Sequence, residues 1–139
     1  MRIIIDVNVF LSALIKDSTT REILVKSEHN FYFPEISLQK IEKYKTLIIE
    51  KTGLAEIEII SLFNSLLNYI KIVPDKELVS NWREAKMIMG DIDEEDVPFI
   101  ACALSIEDSF IWSDDKHFEK QAQILTLKTK DILELLKDD

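Results

Sequence analysis

The sequence predicts an α/β fold, a three-layer α/β/α sandwich around a central, mostly parallel sheet of about five strands. Three observations predict it. Short β-type runs alternate with helical segments, in the order β-α-α-β-α-α-β-α-α-β-α-β-α, along 139 residues. The strand runs are continuously apolar, as in Ile3 to Ile5 and Phe110 to Trp112, which suits strands covered on both faces. Cap and breaker residues stand between the segments, where a helix must start or stop.

Each element has its own reason. Arg2 to Asp6 reads as a buried strand of three isoleucines closed by an acid. Asn8 follows and is placed to cap a helix through Ile15. Asp17 to Thr20 is a polar break with a second cap, and Arg21 to Lys26 continues as a short helix. Phe31 to Phe33 is a strand closed by Pro34. Ser37 to Lys51 is helical, because Leu38, Ile41, Tyr44, Ile48 and Ile49 recur at helical spacing, and Gly53 stops it. Glu56 to Leu67 is a further amphipathic helix. Tyr69 to Val73 is a strand ended by Pro74. Asp75 caps a helix to about Met89, which Gly90 ends. An acidic loop then leads into an apolar helix beginning near Asp96 or Val97, since Pro98 is tolerated only in a first turn. Ser109 to Trp112 is the fourth strand, Lys116 to Gln121 a short polar helical piece and Ile124 to Leu127 the last strand. Thr129 caps a final helix, Asp131 to Lys137.

Composition narrows the function. A chain of this length suffices for one domain, 1–139, with its own core, and 47% hydrophobic residues exclude a disordered chain. The apolar runs are too short to cross a bilayer, and MRIIIDVNVF lacks the apolar core of a signal peptide, so a cytoplasmic protein is expected. One cysteine, Cys102, leaves no disulfide framework and no cysteine-rich zinc site, and it reads as core packing. Seventeen basic against 26 acidic residues give a net charge of −9. That argues against a large phosphate-binding footprint. It argues less against a small metal-dependent site, because bound divalent cations cancel local negative charge.

The chain is organised around DIDEEDVPFIACALSIEDSFIWSDDKHF, residues 91 to 118. Acids stand at the start of a buried helix and at the end of a buried strand, neither of which needs them. In parallel α/β sheets, ligands gather beyond the carboxyl ends of the strands. Asp6 ends the first strand there, and Asp114 and Asp115 follow the fourth. With Asn8 taken as the cap, Asp6 has no structural task. Asp96 can both cap its helix and point at the sheet edge. Asp114 and Asp115 are adjacent, so their side chains diverge and one faces the site. Ser113 can steady that turn. Asp93, Glu94 and Glu95 read as a solvated acidic loop, from which Asp93 can reach the site. Glu42 borders an apolar stripe with Leu38 and Ile49, where an acid can also snorkel or pair with a lysine. His29 reads as a surface residue. His117 neighbours the acidic pair, but a lone histidine is no metal signature. Trp82 and Trp112 read as core.

Several carboxylates in one cleft repel one another unless a cation offsets them. Mg²⁺ takes oxygen ligands and keeps several waters, and such an ion can activate one of them for attack on phosphorus. The sequence has no ligand set for zinc, no glycine-rich phosphate loop and no convincing Ser-His-Asp set.

In this order the motifs resemble the PIN domain nucleases. IIIDVNVFLSALI resembles that family's first strand and first acid, at Asp6, with Asn8 in support. FPEISLQKIEKY resembles the segment that supplies a helical acid, at Glu42. DVPFIACAL carries the third acid at Asp96, and IWSDDKHF the fourth at Asp115, with Asp114 on a variable position. The wording is closest to prokaryotic, VapC-like members. The resemblance implies a ribonuclease dependent on Mg²⁺ or Mn²⁺, with Asp6, Asp96 and Asp115 holding the metal and Glu42 completing the catalytic set and orienting a water. Asp93, Ser113 and Asp114 would support it. It also implies an RNA substrate, a homodimer, and for toxin members an antitoxin partner that occludes the site. His117 stands where many relatives carry an acid. Two rivals remain from the residues themselves: a phospho-receiver-like Mg²⁺ domain, for which Pro74 and Asp75 after the third strand match poorly, and a catalytically silent acidic interaction module.

Overall fold

The computed structural model describes residues 1–15 and 18–137. Five strands form one sheet: β1 (Arg2–Ile5), β2 (Asn30–Pro34), β3 (Ile70–Val73), β4 (Ser109–Trp112) and β5 (Thr126–Leu127). Their order is β3-β2-β1-β4-β5, and all four pairings are parallel. Ile3, Ile4 and Ile5 are all fully buried, although successive side chains point to opposite faces. Both faces of β1 are therefore covered, and the architecture is the expected α/β/α sandwich.

Among the described residues, seven helices connect the strands and an eighth follows the last one: α1 (Val7–Ala13), α2 (Thr19–Lys26), α3 (Leu38–Lys43), α4 (Lys45–Thr52), α5 (Glu56–Leu66), α6 (Asp75–Met89), α7 (Val97–Ser105) and α8 (Thr129–Leu136). Short 3₁₀ turns cover Glu35–Ser37, Glu94–Asp96 and Lys116–Lys120. Among the described residues, no helix is long and apolar enough to cross a membrane.

Local chemistry departs from the sequence expectations at five places. Asp6, not Asn8, caps α1: the helix begins directly after β1, so the strand's last acid is already at the cap position. Asn8 lies exposed in the first turn, and α1 ends at Ala13, with Leu14 as its cap. The second cap does fall where expected, on Ser18 within the polar break, and Lys16 and Asp17 lie outside the described residues. The helix expected over 37–51 is two helices, because Tyr44 adopts φ −91° and ψ 3°, which interrupts the regular turn. Pro74 and Lys128 take the cap positions of α6 and α8, so Asp75 and Thr129 are their first helical residues.

The two glycines act differently. Gly53 closes α4 in the left-handed region at φ 70°. Gly90 keeps right-handed dihedrals, but a Cβ there would lie 2.5 Å from the Lys86 carbonyl oxygen.

The strand order puts a switch point between β1 and β4, since the chain moves outward through β2 and β3 before returning to β4 on β1's other side. The β1–β4 ladder extends to Asp6, whose N–H donates to the Trp112 carbonyl at 3.3 Å. A chain of ring contacts lies in the core: Phe10 to Phe33 at 5.1 Å, Phe33 to Phe99 at 5.6 Å and Phe99 to Phe118 at 6.3 Å between centroids. These edge-on contacts lock together α1, β2, α7 and the Lys116–Lys120 turn. Three of those four elements carry or adjoin the acids at the switch point.

Candidate metal centre

Asp6 is only 2% exposed, and both its oxygens are engaged. Oδ1 accepts the Val9 N–H at 2.7 Å, which is the helix cap, and Oδ2 accepts the Ser113 hydroxyl. Burial pushes the Asp6 carboxyl up to about 6 against the opposing pull of the Ser113 and Val9 hydrogen bonds, with repulsion from Asp115 and Asp114 adding to the rise.

Asp96 occupies the cap position of α7 but makes no capping hydrogen bond. Its Oδ2 is buried and has no hydrogen-bond partner. Burial raises its pKa to about 7, helped by repulsion from Asp93, Asp115 and Asp6 and opposed by His117. A buried carboxylate oxygen without a donor is costly. A cation is the simplest group that would satisfy it.

Ser113 is 1% exposed and joins two acids. Its hydroxyl donates to Asp6 and accepts the Asp115 N–H at 3.0 Å. Asp115 accepts the His117 N–H through Oδ1 at 2.9 Å. Asp114 turns the other way: Oδ1 accepts the Thr129 N–H at 2.9 Å and Oδ2 the Thr129 hydroxyl at 2.6 Å. The adjacent acids therefore diverge as their spacing predicts, with Asp115 toward the cluster and Asp114 on the start of α8.

Asp93 and His117 complete the group. Asp93 Oδ1 accepts the Glu95 N–H at 3.0 Å, and Oδ2 lies 2.9 Å from His117 Nδ1. Asp93, Asp96 and His117 each offer a ligand atom within 4.8 Å of the others, which would let them hold a metal ion. The sequence places His117 beside the acidic pair but, as a lone histidine, gives it no ligand role. Its signal was its place two residues after Asp115, in a turn that curls back onto the strand end.

Glu42 is not brought into this cluster. Its carboxylate is exposed, 3.9 Å from Lys45 Nζ, beside an apolar cavity of about 190 Å³ lined by Leu14, Ile41, Ile48 and Phe63. Lys45 is held more closely by Glu56, at 2.9 Å. The α3 helix still adjoins the acidic loop, because Lys40 pairs with Glu95.

Comparison with known proteins gives a family and a fold. The chain matches the PIN domain family over residues 4–136. Among curated proteins nothing matches it. Among solved structures it is similar to a chain of VapBC2 from Rickettsia felis, a complex bound to a DNA fragment from their promoter, at 13% identity and a TM-score of 0.69. That alignment covers 92% of this chain and 98% of the other. At this identity the likeness is one of fold, whereas the family match spans nearly the whole sequence. The chain belongs to the PIN domain family.

Proposed function

We propose that the protein is a divalent-metal-dependent nuclease, an endoribonuclease that hydrolyses RNA phosphodiester bonds with Mg²⁺ or Mn²⁺. The observation that carries this reading is the donorless buried oxygen of Asp96, set among Asp93, Asp115 and Asp6 at the switch point of the sheet. Oxygen donors of this kind suit hard divalent ions. Asp6, Asp96 and Asp115 would hold the ion, directly or through water. When bound, the ion would supply charge neutralisation for the phosphate and acidify a water for attack.

The chain's own residues prepare the site. Ser113 fixes the Asp6 carboxylate and the Asp115 backbone in one relation. Asp96 holds a proton near neutrality when no cation is present, so loading the site releases it. Glu42, exposed on α3 near Lys45, would act as an outer member that orients water. The experiment that tests the reading is cleavage of a mixed panel of RNA and single-stranded DNA with and without Mn²⁺. RNA cleavage that needs the ion supports it, and cleavage independent of the ion contradicts it.

Two partners belong to the same proposal. The structural likeness to a VapBC2 chain supports a toxin role, with a basic antitoxin segment covering the acidic site in the cytoplasm. A second copy would cover α6. Asp75, Val79, Trp82 and Lys86 line one apolar groove with Ile36, and Val79 is 70% exposed. Their helical spacing is symmetric end to end. Two such helices packed antiparallel would set each Asp75 against the other copy's Lys86, and Val79 against Trp82, the self-complementarity an isologous interface requires.

A further inference from the structure

We infer that His117 supplies a nitrogen ligand to the cation of the acidic cluster, so that the site favours first-row transition ions over Mg²⁺. The inference rests on the metal-dependent reading above and adds the donor that sets ion preference.

The geometry around the ring carries it. His117 Nδ1 lies 2.9 Å from Asp93 Oδ2, 3.6 Å from Asp115 Oδ1 and 3.7 Å from Asp96 Oδ2. Three carboxylates from two segments of the chain thus surround one ring nitrogen. That nitrogen is buried and makes no hydrogen bond, although Asp93 Oδ2 lies within ion-pair distance of it. Among the described residues only four buried side-chain polar atoms lack a hydrogen-bond partner, and two of them, Asp96 Oδ2 and His117 Nδ1, face each other here. Ligand bonds of about 2.1 Å place adjacent ligand atoms of an octahedron about 3.0 Å apart. The separation to Asp93 matches that edge length, and those to Asp115 and Asp96 lie between it and the roughly 4.2 Å across such an octahedron, so these ligands would have to draw in on an ion.

The backbone that carries the ring is also held in place. The His117 backbone N–H donates to Asp115, and the next residue, Phe118, is 1% exposed and packs edge-on against Phe99. The nitrogen is thus presented by a fixed turn, as a ligand should be. Imidazole binds Mg²⁺ poorly, and its contribution to affinity grows along the series Mn²⁺, Co²⁺, Ni²⁺. A nitrogen in the donor set therefore predicts a graded effect that no purely structural role would produce.

The test is a titration of the folded wild-type protein and His117→Ala with Mg²⁺, Mn²⁺ and Co²⁺ by calorimetry. The expected result is a loss of Co²⁺ affinity of about tenfold or more, a smaller loss for Mn²⁺, and a change under about twofold for Mg²⁺. Pulsed electron paramagnetic resonance of Mn²⁺ bound to the wild-type protein should also show coupling to a directly bound ¹⁴N nucleus. That measurement decides the question if the variant does not fold. Equal losses for all three ions, or no ¹⁴N coupling, would overturn the inference and leave the nuclease reading standing. A gain in affinity on removing the ring would overturn it in another way, by making His117 a built-in counter-cation. Failure of the wild-type protein to bind any of the ions would overturn both readings.

Discussion

Ser113 donates its hydroxyl to Asp6 Oδ2 across 107 positions of sequence. The Ser113 hydroxyl oxygen also accepts the Asp115 N–H. One buried hydroxyl thus sets the spacing of the two strand ends that flank the switch point. Replacing it with Ser113→Ala leaves Asp6 Oδ2 buried and donorless, at a cost of about 1–3 kcal/mol in unfolding free energy. The Asp6 pKa should rise further, because a hydrogen bond that lowers it is lost. Urea denaturation and a carbon-detected titration of the carboxyl check both.

The acids also set a pH dependence of stability. Burial raises Asp6 from 3.8 to about 6 and Asp96 from 3.8 to about 7. Between the unfolded and folded values the native state binds more protons than the unfolded chain, so their contribution to stability falls as pH rises. It is fully present below the unfolded value and lost as pH passes through the folded values. The metal-free protein should therefore lose stability from about pH 4 to about pH 7 on their account. Added Mn²⁺ should act oppositely, stabilising more at pH 8 than at pH 5, because ligands must be deprotonated. Thermal melts across that range, with chelator and with Mn²⁺, measure both slopes.

Thr129 tests whether Asp114 is structural. Its hydroxyl accepts the indole N–H of fully buried Trp112 at 2.9 Å and donates to Asp114. Thr129→Val should leave the Trp112 N–H without a partner and cost about 1–3 kcal/mol. Metal affinity should change little, since Asp114 faces α8. A loss of metal binding comparable to that of Asp6→Asn would instead place Asp114 in the site.

The α6 groove gives a test of assembly. Val79→Asp puts a charge in the middle of the apolar stripe. The wild-type protein should run as a dimer in light scattering and the variant as a folded monomer. A wild-type monomer at all concentrations would remove α6 as an interface.

Much of this was legible in the sequence, and the exceptions have physical causes. Short unbroken apolar runs such as Ile3 to Ile5, bounded by cap and breaker residues, suit strands covered on both sides, so the sheet and its layers could be read from them. Asp6 and Asp96 were visible as acids at element boundaries. The dual role of Asp6 was not, because the strand runs into α1 without a loop and the cap falls on the strand's own last acid. The break at Tyr44 was hidden because Ile41 and Ile48, both buried, keep helical spacing across it. Which of Asp114 and Asp115 faces the site depends on Thr129, fifteen residues away. Glu42 carries the right motif, yet its exposed side chain follows Lys45 rather than the cluster. His117 has no partner histidine in sequence, and its acids arrive only through the fold.

The central claim is that Asp6, Asp96 and Asp115 form one cation site that cuts RNA, and Asp6→Asn tests it most directly. Asparagine caps helices as well as aspartate does, so the variant should stay within about 1 kcal/mol of the wild-type stability without metal. Its Mn²⁺-dependent RNA cleavage should fall to background, together with its Mn²⁺-induced rise in melting temperature. An undiminished cleavage rate in the folded variant would contradict the account.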